Sequence, residues 1–367
     1  MAMRRATLAL LAALGVVLSA CGGSGDAATT TTTAAPTTAA TAGTTTTTAA
    51  PTTTRAPDST STTVTLPTGP AGPLNGLPVN DPDLLARRVF AVKVDNHWNA
   101  RPQSGLQEAD AVIEILVEGG ITRFIALFHQ SDSEYVGPVR SVRPTDSTML
   151  APLDAPLVFS GGQAWIQEMT ISRGIPLIAE GANGLFRMSH RYAPHNLYAD
   201  TIDIRATADE RGIDDDIDGP LYAVGPWAED PAEAASRIEL NWGPGHPAGW
   251  TYEDGKYLRY EGDTQQTWVA RDGTSGPMAF DVLVFILGRQ YVAVPPPGGK
   301  SSVPAIDTLG SGRLLIFAHG KVLDGTWERD AVEEPFRLFD QDGNPATVPP
   351  GVPWISVYPQ QQPFTFE

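Results

Sequence analysis

Along the chain the rhythm of apolar positions changes three times. The run 6–17 is apolar throughout, whereas from Gly22 to about Pro70 large apolar side chains almost vanish. Strand-sized apolar segments then return at 89–94, 111–117, 124–128 and 156–160, separated by stretches that suit helices. Beyond residue 230 the runs shorten and alternate, at 250–252, 256–260, 282–287 and 314–318. They are punctuated by Asp254-Gly255, Asp272-Gly273, His319-Gly320, Asp324-Gly325 and Asp342-Gly343, dipeptides that favour tight hairpins. This pattern predicts an α/β or α+β N-terminal domain over 71–228, followed by a mostly antiparallel β C-terminal domain over 229–367. The Gly/Pro-rich 226–247 forms the junction, with a helix-compatible 231–236 inside it. A β-hairpin is expected over 310–329, turning at His319-Gly320 with Gly320 at positive φ.

The two N-terminal regimes read differently. Arg4 and Arg5 ahead of the apolar run, closing on Leu18-Ser19-Ala20-Cys21, have the layout of an export signal over 1–20 with a lipobox. Cys21 is the only cysteine. A lone cysteine suits a free thiol or an intermolecular disulfide, but its place directly behind the run favours lipidation and a membrane partner. The segment 21–70 is Thr/Ala/Pro-rich and has no face to bury, so it is expected to be a disordered tether. It reads as an extended spacer or as a neutral linker.

The formal net charge of −17 falls to −19 once Arg4 and Arg5 leave with residues 1–20. Such a body repels nucleic acid and anionic headgroups, so no nucleic-acid partner is expected. No Gly-x-Ser-x-Gly elbow, His-Glu-x-x-His, Walker loop or dinucleotide fingerprint is present. No cofactor, metal or catalytic residue is therefore assigned.

Polar groups set among the apolar strands carry what chemistry there is. Asp95 and Asn96 end the first strand and lead to Arg101, Gln103 and Ser104; they serve either a site at a strand end or a local turn. Glu114 and Glu118, four apart on a presumed strand, share a face, with Arg123 the nearest partner in sequence; the pair belongs to a site or to a structural ion pair. Arg140, Ser141 and Arg143 lie in a Gly/Pro-shaped loop ahead of a helix through Met149, with Thr145, Asp146 and Ser147 available to cap it. The loop suits either an anion cradle or solvated arginines. His190 and His195 read as hydrogen-bonded structural residues or a metal pair, and Asn196 follows them. Only four lysines occur in the chain and none between Asn96 and Gly255, so the fixed cations of that stretch are arginines, suited to bidentate capture of phosphate or carboxylate.

Taken in order, Asp95-Asn96, Arg101 to Leu106, Ala109 to Glu114, Glu118 to Phe124, Gly137 to Pro144 and Ala193 to Tyr198, with Gly310 to Arg313 and Asp324 to Arg329 further on, resemble the YerB-type lipoproteins of bacteria. That family is built from two successive domains of unknown function. The resemblance spans roughly 76–359 and implies a lipid-anchored, extracytoplasmic location; it implies no reaction. The expected function is a binding or accessory protein on the outer face of the cytoplasmic membrane. Its anionic envelope ligand would be held in one pocket by Asp95, Asn96, Arg101, Gln103, Glu114, Glu118, Arg123, Arg140, Ser141, Arg143, His195 and Asn196. The alternatives are a phosphotransferase or hydrolase of phosphorylated envelope polymers, and a structural interaction module.

Overall fold

Strands β1 (Phe90–Asp95), β2 (Ala111–Leu116) and β3 (Thr122–Phe128) bury every one of their residues, Lys93, Glu114 and Arg123 included. Near-continuous apolar sequence of this kind marks strands covered on both faces, and both covers are present. The computed structural model of the protein describes residues 69–213, 219–227 and 233–367. The export signal, Cys21 and nearly all of the tether expected from the sequence lie outside the described residues.

Two more strands extend the first three, β4 (Leu157–Phe159) and β5 (Leu177–Ala179), both added in parallel. Three helices accompany them: α1 (Pro144–Leu150), α2 (Ala164–Ser172) and α3 (Thr201–Glu210). Asp146 caps α1 from its third position by accepting the Arg143 N–H at 2.8 Å. The C-terminal half supplies β6 (Arg237–Asn241), β7 (Pro247–Glu253) and β8 (Lys256–Glu261). It continues with β9 (Val282–Gly288), β10 (Gly310–Ala318), β11 (Lys321–Arg329), β12 (Arg337–Asp340), β13 (Pro353–Pro359) and β14 (Phe364–Phe366). The N-terminal half is thus mixed α/β and the C-terminal half mostly antiparallel β.

The halves share one eleven-stranded sheet, in the order β12-β11-β10-β9-β13-β2-β3-β1-β4-β5 with Glu233–Ala234 added beside β11. Its seam is β13, which pairs in parallel with β9 on one side and β2 on the other. A second, six-stranded sheet runs Thr264–Gln265, β8, β7, β6, β14, with Ala279–Phe280 beside β8. It covers one face of the large sheet: Trp354 of β13 meets Phe124, Trp250 and Phe280 with ring centroids 4.8, 5.1 and 5.0 Å apart.

Two local expectations are corrected. The described part of 231–236 is extended, because Glu233–Ala234 finds strand β11 to pair with. Glu118 is not on a strand: β2 ends at Leu116, and Glu118–Gly120 forms a tight turn with Gly119 and Gly120 at φ 75° and 79°. The link between β2 and β3 is nonetheless a hairpin.

Candidate functional site

Register decides which of the polar groups meet. Asp95 lies opposite Arg123, and Arg123 opposite Ile115, so these side chains share one face of the sheet; Glu114 lies opposite Phe124, and Phe124 opposite Val94, on the other. The residues proposed for a single pocket therefore separate into two groups, one on each face.

On the first face, Asp95 is the centre. Its Oδ2 is 2.7 Å from His195 Nδ1 and 3.0 Å from Arg140 Nε, and its Oδ1 accepts the His97 N–H at 3.1 Å. The Arg140 contact is an ion pair without hydrogen-bond alignment. Close by, Lys93 Nζ donates to Asp146 Oδ1 at 2.7 Å with both side chains fully buried. Burial pushes this ammonium down to about 8 against the pull of Asp146, with Arg123 and Arg143 pushing the same way as burial. Arg143 Nε donates to Glu118 Oε2 at 2.8 Å; partial burial pushes that carboxyl up, but the Arg143 bond and charge, a backbone hydrogen bond and the Arg123 charge together hold it below the usual range. Arg123 donates from Nη1 to the Ser141 carbonyl at 2.7 Å, and its Nε is buried without an acceptor. Burial, with Arg143 and Arg140 adding repulsion and Asp95 and Glu118 opposing it, brings Arg123 down to about 10, still fully charged at neutral pH. Lys93 is matched by Asp146, Arg143 by Glu118 and Arg140 by Asp95; Arg123, 8% exposed, has no carboxylate in ion-pair contact among the described residues.

The other face holds a network that joins the two halves. Glu114 accepts from Arg259 at 2.7 Å, Thr122 at 2.8 Å and Trp354 at 3.0 Å, and is wholly buried. Burial raises its pKa, with the Arg259 charge opposing. Arg123 is thus not its partner, because the pleat sends the two side chains to opposite faces. Arg259 is also held over the rings of Trp250 and Trp354, 5.2 and 5.4 Å from their centroids. Asn96 donates to Thr122 and Glu261 and accepts from Arg101 and Gln103, while Gln103 also receives Gln266 and Arg101 pairs with Glu261 at 3.1 Å. These contacts make Asn96, Arg101, Gln103 and Glu114 parts of the joint between halves. Asn196 turns away to Arg187, which is clamped on Glu180.

Sequence reading overlooked Lys93, His97, Arg259, Glu261 and Gln266. Lys93 and Arg259 did carry a signal: each is a cation at an inward position of an apolar or alternating strand. His195 stacks on His97, at 4.8 Å, rather than on His190, and no cluster of three metal-ligating side chains occurs among the described residues. A separate groove of about 720 Å³ crosses the second sheet, lined by Arg237, Glu239, Asn241, Gly249, Tyr260 and Thr365 among others. It shares no residue with the arginine cluster, and its Arg237 and Glu239 neutralise each other at 2.9 Å.

Residues 74–214 match the family described as "Protein of unknown function (DUF3048) N-terminal domain", and 238–355 match its C-terminal domain. A Bacillus subtilis (strain 168) protein described as "Putative lipoprotein YerB" is 28% identical over 298 residues, 78% of this chain and 86% of that protein. The crystal structure of the YerB protein from Bacillus subtilis superposes with a TM-score of 0.68 at 26% identity, covering 81% of this chain and 99% of that one.

Proposed function

The chain belongs to this two-domain family of unknown function, and we propose that it is a lipid-anchored binding or accessory protein of the bacterial envelope whose N-terminal half holds an anionic ligand. Cys21 is its lipidation site, and the body stands on the outer face of the cytoplasmic membrane at the end of the 21–70 tether. The lipobox and the likeness to a lipoprotein support the anchor. The observation that carries the ligand is Arg123. This guanidinium is deep and its Nε is unpartnered; Asp95 and Glu118 attract it without forming an ion pair while Arg143 and Arg140 repel it, a setting that suits a further anion. Arg140 and Arg143 stand beside it, and guanidinium forks match phosphate or carboxylate oxygens in pairs.

Calorimetric titration of the full-length protein in detergent with phosphate and pyrophosphate tests the reading. Wild type should bind, and Arg123→Ala and Arg140→Ala should each weaken binding by about tenfold or more, the range for loss of one charge-assisted bond. Absence of binding in wild type, or equal affinity in both variants, would leave these residues as structural ion pairs and favour an interaction module.

One observation favours the second reading, a hydrolase or phosphotransferase. The Asp95 carboxylate fixes the His195 proton on Nδ1, and Nε2 has no hydrogen-bond partner among the described residues, the arrangement of a general base. Hydrolysis of a phosphomonoester that disappears in His195→Gln would establish it.

A further inference from the structure

Exposed aromatic rings stand on two neighbouring loops, and Trp98 is linked by ring contacts to the Asp95–Arg140 pair. Trp98 is 60% exposed and Tyr192 90% exposed, in a chain whose other tryptophans are mostly deep in the core. The Trp98 ring lies 3.7 Å from that of His97, and His97 stacks on His195 at 4.8 Å with 17° between planes, so a tier of rings leads from the Asp95–Arg140 pair out to solvent. The loop carrying Tyr192 is fastened to the Trp98 turn by Arg191, which donates to the carbonyls of Ala100 at 2.8 Å and Pro102 at 2.7 Å. His97 Nδ1 accepts the Asn99 N–H at 3.2 Å, which leaves its other nitrogen as the donor when the ring is neutral. Burial, with the facing His195, lowers the His97 pKa and favours that neutral state. Glu118, half-exposed beside Arg143, is an acceptor on the same side.

We infer that the ligand is a sugar phosphate, with its phosphate on Arg123 and Arg140 and its sugar ring against Trp98. The inference rests on the anion site proposed above. The C–H face of a pyranose carries slight positive charge and suits the negative face of an indole, while His97 and Glu118 offer a donor and an acceptor to its hydroxyls. An anionic bilayer fits less well: the body is strongly acidic, and the carboxylate at the rim repels lipid phosphates.

The full-length protein in detergent is titrated with inorganic phosphate, glucose 1-phosphate and AMP, as wild type, Trp98→Ala and Trp98→Phe. Wild type should hold glucose 1-phosphate about tenfold tighter than phosphate, as one stacked ring with its hydrogen bonds provides. Trp98→Ala should reduce that ratio to near one by weakening glucose 1-phosphate far more than phosphate, and Trp98→Phe, which keeps a ring, should retain most of it. Phosphate binding without a preference for the sugar ester, or a preference that survives Trp98→Ala, would overturn the sugar while sparing the anion site. AMP bound tighter than glucose 1-phosphate would replace the sugar by a base. Failure of all three ligands in wild type would remove the anion site and this inference together.

Discussion

Lys93 sits in the middle of an apolar strand, and its proton is set by two opposed forces, burial and the Asp146 carboxylate 2.7 Å away. With its pKa down from 10.5 to about 8 in the folded chain, the unfolded chain holds the proton across that window after the folded chain has released it. The stability contributed at this position therefore rises with pH from about 8 to 10.5 and is lowest below about 8. Chemical denaturation of wild type and Lys93→Met at pH 7.5 and 9.5 should show the wild type gaining on the variant at the higher pH; a gap that moves the other way would contradict the assignment. The same scale shows what sequence alone withholds. Arg140 and Asp95 were recognisable as polar groups at strand and loop ends, and the fold brings them together across 45 residues of chain. Arg259, the true partner of Glu114, is 145 residues away, and only sheet register identifies it. Arg123 was nearer in the chain but on the wrong face.

The hairpin of β10 and β11 is the element that the sequence specifies most fully. Apolar residues flank His319-Gly320 on both sides, and these two take φ 54° and 73°, the left-handed pair that a two-residue turn between twisted strands requires. A Cβ on Gly320 would come within 2.9 Å of the Tyr252 ring as well as meeting the left-handed strain. Gly320→Val should accordingly lose about 2 kcal/mol or more, read as a lower melting temperature, and Gly320→Asn should lose less, because asparagine tolerates this conformation. An unchanged melting temperature in Gly320→Val would count against the turn. By contrast, 231–236 has helix-compatible composition, and its described residues take an extended form because strand β11 is there to be paired; a tertiary partner overrides local preference.

At the scale of the whole molecule, the change of texture near residue 230 was legible, with mixed α/β before and antiparallel β after. The joining of the halves was not, since parallel pairing of β2 with β13 links segments some 240 residues apart and leaves no local mark. Because that pairing and the buried Glu114–Arg259 bond cross between halves, thermal unfolding should be one transition, with calorimetric and van't Hoff enthalpies in agreement. Two resolved transitions would mean that the halves are energetically separate. The position of β13 also has a bearing on how the protein is made. The strand at the seam of the large sheet, Pro353–Pro359, follows every other strand of that sheet in the chain, so until it is made β2 stands as an open edge and β9 is paired on one side only. A chain that stops anywhere upstream of Pro353 lacks the strand that both half-sheets pair with. The seam strand is thus what joins the two half-sheets, and a stop codon ahead of Pro353, even one sparing nine-tenths of the sequence before it, leaves a chain with both rims open.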